Sequence, residues 1–209
     1  MLLEYFKAER LLKRYGIESV QSAYVSSPDA AIRFSKGSSI ALKVLSENAL
    51  HKSKAGLVRL GLKNARDIEK AFSQLSQRSK RLRLGPYKVL AQKMSEAGIE
   101  AIIGGRQDPQ FGKLIMLGLG GIYVEAFRDF SLRLCPITGY DADAMIDQLR
   151  SRDVLTYHGE NRKMLAGLLI KVSKMLASEK GIKELDLNPV ILRRNSYSIV
   201  DLRVLAIVA

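Results

Sequence analysis

The chain has 209 residues, enough for one sizeable core or for two small lobes sharing a site. Hydrophobic residues make up 47% and charged residues 26%, as in an ordinary globular protein, and no apolar run approaches the ~18 residues of a membrane-spanning helix. The formal charge of +13, with a pI near 9.9, favours anionic partners: nucleotides, phosphorylated substrates, nucleic acid or an acidic protein. The first residues, Met1 to Lys7, are soon charged and give no signal peptide. Cys135 is the only cysteine, so it makes no internal disulfide. It fits a reducing cytoplasm and, within an apolar run, reads as a small core residue.

Leu2 to Tyr15 reads as an amphipathic helix stopped by Gly16. Ser27-Pro28-Asp29 opens a second, short helix with proline at an early position. Ser39 to Leu45 reads as a buried strand carrying Lys43, followed by a polar loop from Ser46 to Gly56 and a strand from Leu57 to Leu62. Asn64 caps a long helix through about Lys80. Tyr87 to Met94 and Ile99 to Gly104 are strands, and Gln107 to Gly112 a loop. Leu114 to Leu119 and Ile122 to Phe127 read as a hairpin around Gly118, Gly120 and Gly121. Ser131 to Ile137 is a strand, and Asp141 to Leu149 and Arg162 to Ala177 are helices. Helices and antiparallel strands mix without strict βαβ alternation, which gives an α+β class. The turn at Leu84-Gly85-Pro86 is the expected boundary between a small and a larger lobe.

The densest chemistry lies near the end of the chain. In Glu184-Leu185-Asp186-Leu187-Asn188-Pro189, polar residues alternate with leucines, so Glu184, Asp186 and Asn188 share one face of a strand. A hairpin turning near Asn195-Ser196 returns Asp201 beside Asn188. Three carboxylates and an amide oxygen on a rigid sheet suit Mg²⁺; a solvated acidic face on an edge hairpin produces the same pattern. Lys43, mid-strand among apolar residues, needs water or an anion, and Arg133 is similarly embedded. The loop Leu50-His51-Lys52-Ser53-Lys54-Ala55-Gly56 has the cations and the glycine of a phosphate cradle but not the Walker spacing, and a basic turn is the plainer reading. His51 and His158 have no metal-ligand spacing to each other or to Cys135, which argues against zinc. Gly118-Leu119-Gly120-Gly121 is followed by no helix and reads as a hairpin rather than a dinucleotide fingerprint. Arg78 to Arg83 is basic but has no interleaved aromatics, a weak nucleic-acid signal; a solvated helix end is the alternative.

Taken together, several ordered motifs resemble the ATP-grasp β subunit of ADP-forming acyl-CoA synthetases, over almost the whole chain. They are Leu12 to Ile17, Ala41-Leu42-Lys43-Val44, His51-Lys52-Ser53, Glu100 to Gly104, Asp108 to Gly112, Gly118 to Glu125, Arg133 with Pro136, Glu184 to Pro189, and Val200 to Arg203. The resemblance implies an ATP-grasp fold, two α+β lobes clamping a nucleotide, in a single domain over residues 1–209. The small lobe spans about 17–85, and the large lobe about 86–209 with the N-terminal helix 2–15. It assigns Lys43 to the nucleotide phosphates, Gln92 to Met94 to the hinge near adenine, and Glu100 to the ribose. Asn188 and Asp201, with Asp186 close by, hold Mg²⁺ for ATP or ADP. Arg133 lies near the transferring phosphate, Lys52 and Ser53 serve the phosphate loop, and His51 is a phosphohistidine.

In the implied relay, a partner α subunit with CoA-binding and CoA-ligase domains, in an α2β2 assembly, makes an acyl phosphate. Phosphate then passes through a histidine on the partner to His51 and on to ADP. A neutral imidazole is a good phosphoryl acceptor near pH 7. The chain departs from the family pattern at Lys54 and Leu57, where an acidic residue and a double glycine are usual, at Ser38-Ser39, and at His158-Gly159. The competing readings are a different ATP-grasp subunit, of the succinyl-CoA synthetase or carboxylate–amine ligase kind, a basic nucleic-acid-binding protein, and a nucleotide-binding scaffold without turnover.

Overall fold

A computed structural model describes residues 1–46, 55–121, 129–157 and 159–207. In chain order its first elements are α1 (Tyr5–Arg14), β1 (Ser22–Val25), α2 (Pro28–Ser35), β2 (Ile40–Leu45), β3 (Val58–Leu62), α3 (Ala65–Arg81) and β4 (Lys88–Lys93). Then come β5 (Ile99–Asp108), β6 (Gly112–Leu119), β7 (Phe130–Leu134), α4 (Gly139–Asp147), α5 (Arg152–Leu155) and α6 (Arg162–Ser178). The chain ends with β8 (Ile182–Arg193), β9 (Ser196–Ile199) and β10 (Leu202–Ala206). Local sequence sets the helix starts. The side chains of Ser27 and Asn64 accept the amides of Ala30 and Asp67, and Thr138 and Asp141 form a reciprocal capping box. No helix among the described residues is long and apolar enough to cross a membrane.

The chain divides into two compact units, Val20–Glu96 and Met1–Ser19 with Ala97–Ala209. The smaller unit is an antiparallel sheet in the order β1-β4-β2-β3. Ile40, Leu42 and Val44 of β2 join Ile68, Ala71 and Leu75 of α3 in its core. Alternation therefore sends Ala41 and Lys43 to the opposite face. The boundary expected near Leu84-Gly85-Pro86 falls later, after Glu96. β4 pairs with β1 on one side and with β2 on the other, so it cannot leave this sheet.

The larger unit is a sheet in the order β10-β8-β5-β6-β7, with β9 also paired to β8. The helices α4 and α6 pack together, and α6 lies against β5 and β6. The approach is close: a β-carbon on Gly105 would sit 2.4 Å from Leu176 Cδ1 of α6. The expected loop at Gln107 to Gly112 shortens to the tight turn 109–111 between β5 and β6, in which the Asp108 carboxylate accepts the amides of Gln110 and Phe111. The expected hairpin between Leu114–Leu119 and Ile122–Phe127 is not the pairing found. Over Leu114–Gly118 both edges of β6 are occupied, by β5 and by β7, and residues 122–128 lie outside the described residues.

Candidate functional site

The strand β8 carries the acidic motif as alternation requires. Leu185 and Leu187 are buried, Asp186 is half-buried, and Glu184 and Asn188 are exposed. β10 returns alongside with Leu202 opposite Leu187 and Arg203 opposite Asp186. One step earlier, the Asn188 amide donates to the Asp201 carbonyl at 3.2 Å, so these two residues face each other across the ladder. On the other side of β8 the register with β5 shifts between Ala101 and Ile103. Asn188 and Pro189 together oppose a single residue there, a bulge of the kind that re-aims a side chain. Asp186, Asn188 and Asp201 thus share one sheet face.

The electrostatics bear on what that face would hold. Burial and the like charges of Asp201 and Glu184 push the Asp186 carboxyl above its ordinary range, and Arg203 pulls the other way. Glu184 itself does not complete the set. It is four residues from Asn188, about 13 Å along an extended strand, too far to share one ion. Among the described residues no three acidic, histidine or cysteine side chains come together as a metal set. What remains is two carboxylates and one amide oxygen. Mg²⁺ completes such a partial hard-oxygen shell with water and phosphate, so the residues present fit that ion.

Glu100 is the second residue of β5 and lies on this same face, two and four residues before Ile102 and Gly104, the latter opposite Asp186. Its exposed side chain is set by a close backbone contact. The Gly120 amide donates to the Glu100 carbonyl at 2.7 Å, and a β-carbon on Gly120 would come within 2.8 Å of the Glu100 backbone. Gly120 is therefore there for close approach, a role the hairpin reading of the glycines did not anticipate.

Arg133 is placed differently from the expectation. In β7, Leu132 pairs with Met116, which pairs with Gly104 and so with Asp186; Arg133 pairs with buried Ile115. Alternation puts Arg133 on the opposite face of the sheet from the acidic set. There its guanidinium donates to Gln148 Oε1 of the α4 C-cap at 3.0 Å and to the Leu132 carbonyl at 2.7 Å. A role beside a phosphate at Asp186 is thereby set aside.

In the smaller unit, Lys43 is 5% exposed and Gln92 is buried. Lys43 pairs with Leu90, and Gln92 with Ala41, so the lysine and the amide share the face away from α2 and α3. Gln92 Nε2 donates to Ser22 Oγ at 3.0 Å. Ser22 and β1 were missed in the sequence, where Ser22-Ala23-Tyr24-Val25 is a run of only four residues, too short to stand out before the helix signal at Ser27-Pro28-Asp29. Met94 is exposed just past β4, its amide held by the Ser39 carbonyl at 3.1 Å. His51, Lys52 and Ser53 lie outside the described residues. Immediately after them the chain is firmly held: Leu57 is fully buried in the core and its carbonyl accepts the Val44 amide. The guanidinium groups of Arg78 and Arg59 donate to the carbonyls of Ala55 and Gly56.

Residues 1–205 match the ATP-grasp domain family. The chain belongs to the ATP-grasp family. It is 35% identical to the β subunit of an ADP-forming acetate–CoA ligase of Pyrococcus furiosus, over 98% of this chain and 91% of that subunit. It is 38% identical to an ADP-forming acetate–CoA ligase of Archaeoglobus fulgidus, over 92% of this chain but only 29% of that longer protein. Among solved structures, it is similar to an acetyl-coenzyme A synthetase of Ca. Korarchaeum cryptofilum in complex with coenzyme A and Ca-AMPCP, with a TM-score of 0.91 and 32% identity, covering 99% of this chain and 93% of that one. Another structure of that enzyme holds Mg-AMPPCP, with its phosphohistidine segment pointing towards the nucleotide site; the TM-score is 0.83 and the identity 31%, covering 98% of this chain and 92% of that one. Within the ATP-grasp family, the chain is thus of the β-subunit kind found in ADP-forming acid–thiol ligases, and the α+β fold expected from the sequence is the one observed.

Proposed function

We propose that this ATP-grasp chain binds Mg-ADP and Mg-ATP and relays phosphate between ADP and a partner that carries out the acyl-CoA chemistry. The observation that carries the reading is the register of β8 with β10, which gathers Asp186, Asn188 and Asp201 on one face. These three residues would hold Mg²⁺, which when bound neutralises charge on the nucleotide phosphates. The buried ammonium of Lys43 would bind the same phosphates, Gln92 and Met94 would border the adenine, and Glu100 would accept from the ribose hydroxyls. Phosphoryl transfer asks mainly for positioning and charge neutralisation, which a lysine and a carboxylate set supply.

His51, flanked by Lys52 and Ser53, would carry the phosphoryl group. The bond from phosphorus to the imidazole nitrogen breaks as a terminal oxygen of ADP bonds to phosphorus. The imidazole leaves neutral, with its proton count restored from solvent. The source of that phosphoryl group would be an acyl phosphate made on an α subunit with CoA-binding and CoA-ligase domains, in an α2β2 assembly.

The test is acid-labile label uptake from γ-labelled ATP with Mg²⁺, on the wild type and on His51→Ala. Label on the wild type alone is expected. Equal label on both would end the assignment of His51. A nucleotide-binding scaffold without turnover is the second reading, favoured by Leu57, whose burial stiffens the chain just after the histidine loop. It predicts nucleotide binding with no label even when the partner is supplied.

A further inference from the structure

The charge of the chain is unevenly divided. Residues 20–96 hold fifteen of the 34 Lys and Arg but only five of the 21 Asp and Glu, so this unit carries +10 of the total +13. The nucleotide reading uses Lys43, on the sheet face away from α3. The largest cluster is elsewhere, at the C-terminal end of α3, where Arg78, Lys80, Arg81 and Arg83 fall within six residues. A helix C-terminus carries only about half a negative charge, so its dipole does not account for four cations. Arg78 is engaged with the Ala55 carbonyl. Lys80, Arg81 and Arg83 are exposed and have no acidic partner among the described residues.

The backbone adds an independent observation. The helix closes with Arg83 N–H to the Lys80 carbonyl at 3.0 Å and Leu84 N–H to the Ser79 carbonyl at 3.2 Å, the paired bonds of a Schellman motif. That motif puts Arg83 at φ 51°, the left-handed position that glycine takes freely and a β-carbon disfavours. A long cation is thus held where the fold alone favours glycine. A strained residue of this kind points to use.

We propose that Lys80, Arg81 and Arg83 form a docking surface for an acidic face of a protein partner. Leu82, 37% exposed, stands among the cations. No aromatic ring interleaves with them. An apolar side chain inside a ring of charge suits a protein interface, whereas a single nucleic-acid strand calls for stacking platforms. Exposed pairs of this kind are individually weak, so the surface works as a set and its affinity falls with salt.

The test is fluorescence anisotropy with a labelled short polyglutamate peptide and, separately, a labelled short oligouridylate, at low and at moderate salt. The full chain is used, as wild type, as the triple variant Lys80→Glu/Arg81→Glu/Arg83→Glu and as Arg83→Gly. The triple variant is expected to bind polyglutamate about tenfold or more weakly, while Mg-ADP binding stays within about twofold. Arg83→Gly is expected to bind the peptide about threefold more weakly, with an equal or higher melting temperature. This second variant separates a lost surface from a damaged fold. Unchanged peptide binding in the triple variant overturns the proposal. So does tighter binding of the oligouridylate than of the peptide with the same dependence on these cations, which makes the surface a nucleic-acid site. A parallel loss of Mg-ADP binding overturns it as well, because the patch would then belong to the nucleotide site.

Discussion

Asp186→Asn separates the cost of the acidic set to the fold from its use in binding. Asp186 and Asp201 are diagonal neighbours on the β8–β10 ladder. At about 7 Å and a surface-like dielectric, two carboxylates repel by about 2 kcal/mol. Arg203 attracts Asp186 less than Asp201 and Glu184 together repel it, so a net repulsion of roughly 1 kcal/mol is what the asparagine removes. For a chain of this size that is a rise of about 2–4 °C in the melting temperature without ligand. Mg-ADP should act in the opposite direction. At about 100 times its Kd it stabilises the wild type by roughly 2.7 kcal/mol, or about 5–10 °C. A loss of about 100-fold in affinity, as expected for one missing charged ligand, cuts the same dose to about 0.4 kcal/mol, near 1 °C. Thermal melts with and without Mg-ADP, backed by titration calorimetry, read both effects at once. A variant that melts lower on its own and keeps the full Mg-ADP shift would refute the reasoning, since Asp186 would then be a structural residue.

Other outcomes follow from single contacts. Lys43→Met keeps the volume of a buried side chain, so stability should hold or rise while Mg-ADP affinity drops at least about tenfold; calorimetry at constant magnesium decides. Gly105→Ala drives a methyl group into Leu176 and should cost about 1–3 kcal/mol in urea unfolding, with no change expected for Gly112→Ala in stability beyond its left-handed backbone. Arg133→Ala should leave Mg-ADP affinity within about threefold, because it loses exposed hydrogen bonds to Gln148 and to the Leu132 carbonyl, on the face away from the acidic set; a large drop would return Arg133 to the nucleotide face. Burial tends to raise the Asp129 carboxyl, but hydrogen bonds from Ser151 and the Arg150 amide outweigh it and hold it below the ordinary range. A group depressed in the folded state stabilises above its unfolded pKa. Asp129→Asn should therefore cost about 1–2 kcal/mol at pH 7, a gap that narrows as pH falls below about 4, read by denaturant unfolding across that range.

The acidic motif was legible in the sequence because period-two alternation around two leucines fixes which side chains share a face. The helix starts after Ser27 and Asn64 were legible because these residues cap by local bonds that need no tertiary partner, whereas the helix expected from Asp141 begins at Gly139, after the Thr138 cap. Lys43 stood out because a lysine in an apolar run has few places to go. The ordered motifs together pointed to the ATP-grasp family, which the comparisons bear out. Local pattern failed where the answer depended on strand partners. The same alternation that groups Asp186 with Asn188 sends Arg133 to the other face, but only the pairing of β5, β6 and β7 shows this. The lobe boundary moved to Glu96 because β4 is claimed by β1, a strand too short to announce itself. Glu184 dropped out of the metal set by distance along its own strand. The sequence by itself determined the family, most of the local elements and the chemical character of the site residues, since these rest on composition, spacing and short-range bonds. Which of those residues face one another was decided only by the tertiary structure, because strand register is a long-range choice that neighbouring residues do not encode.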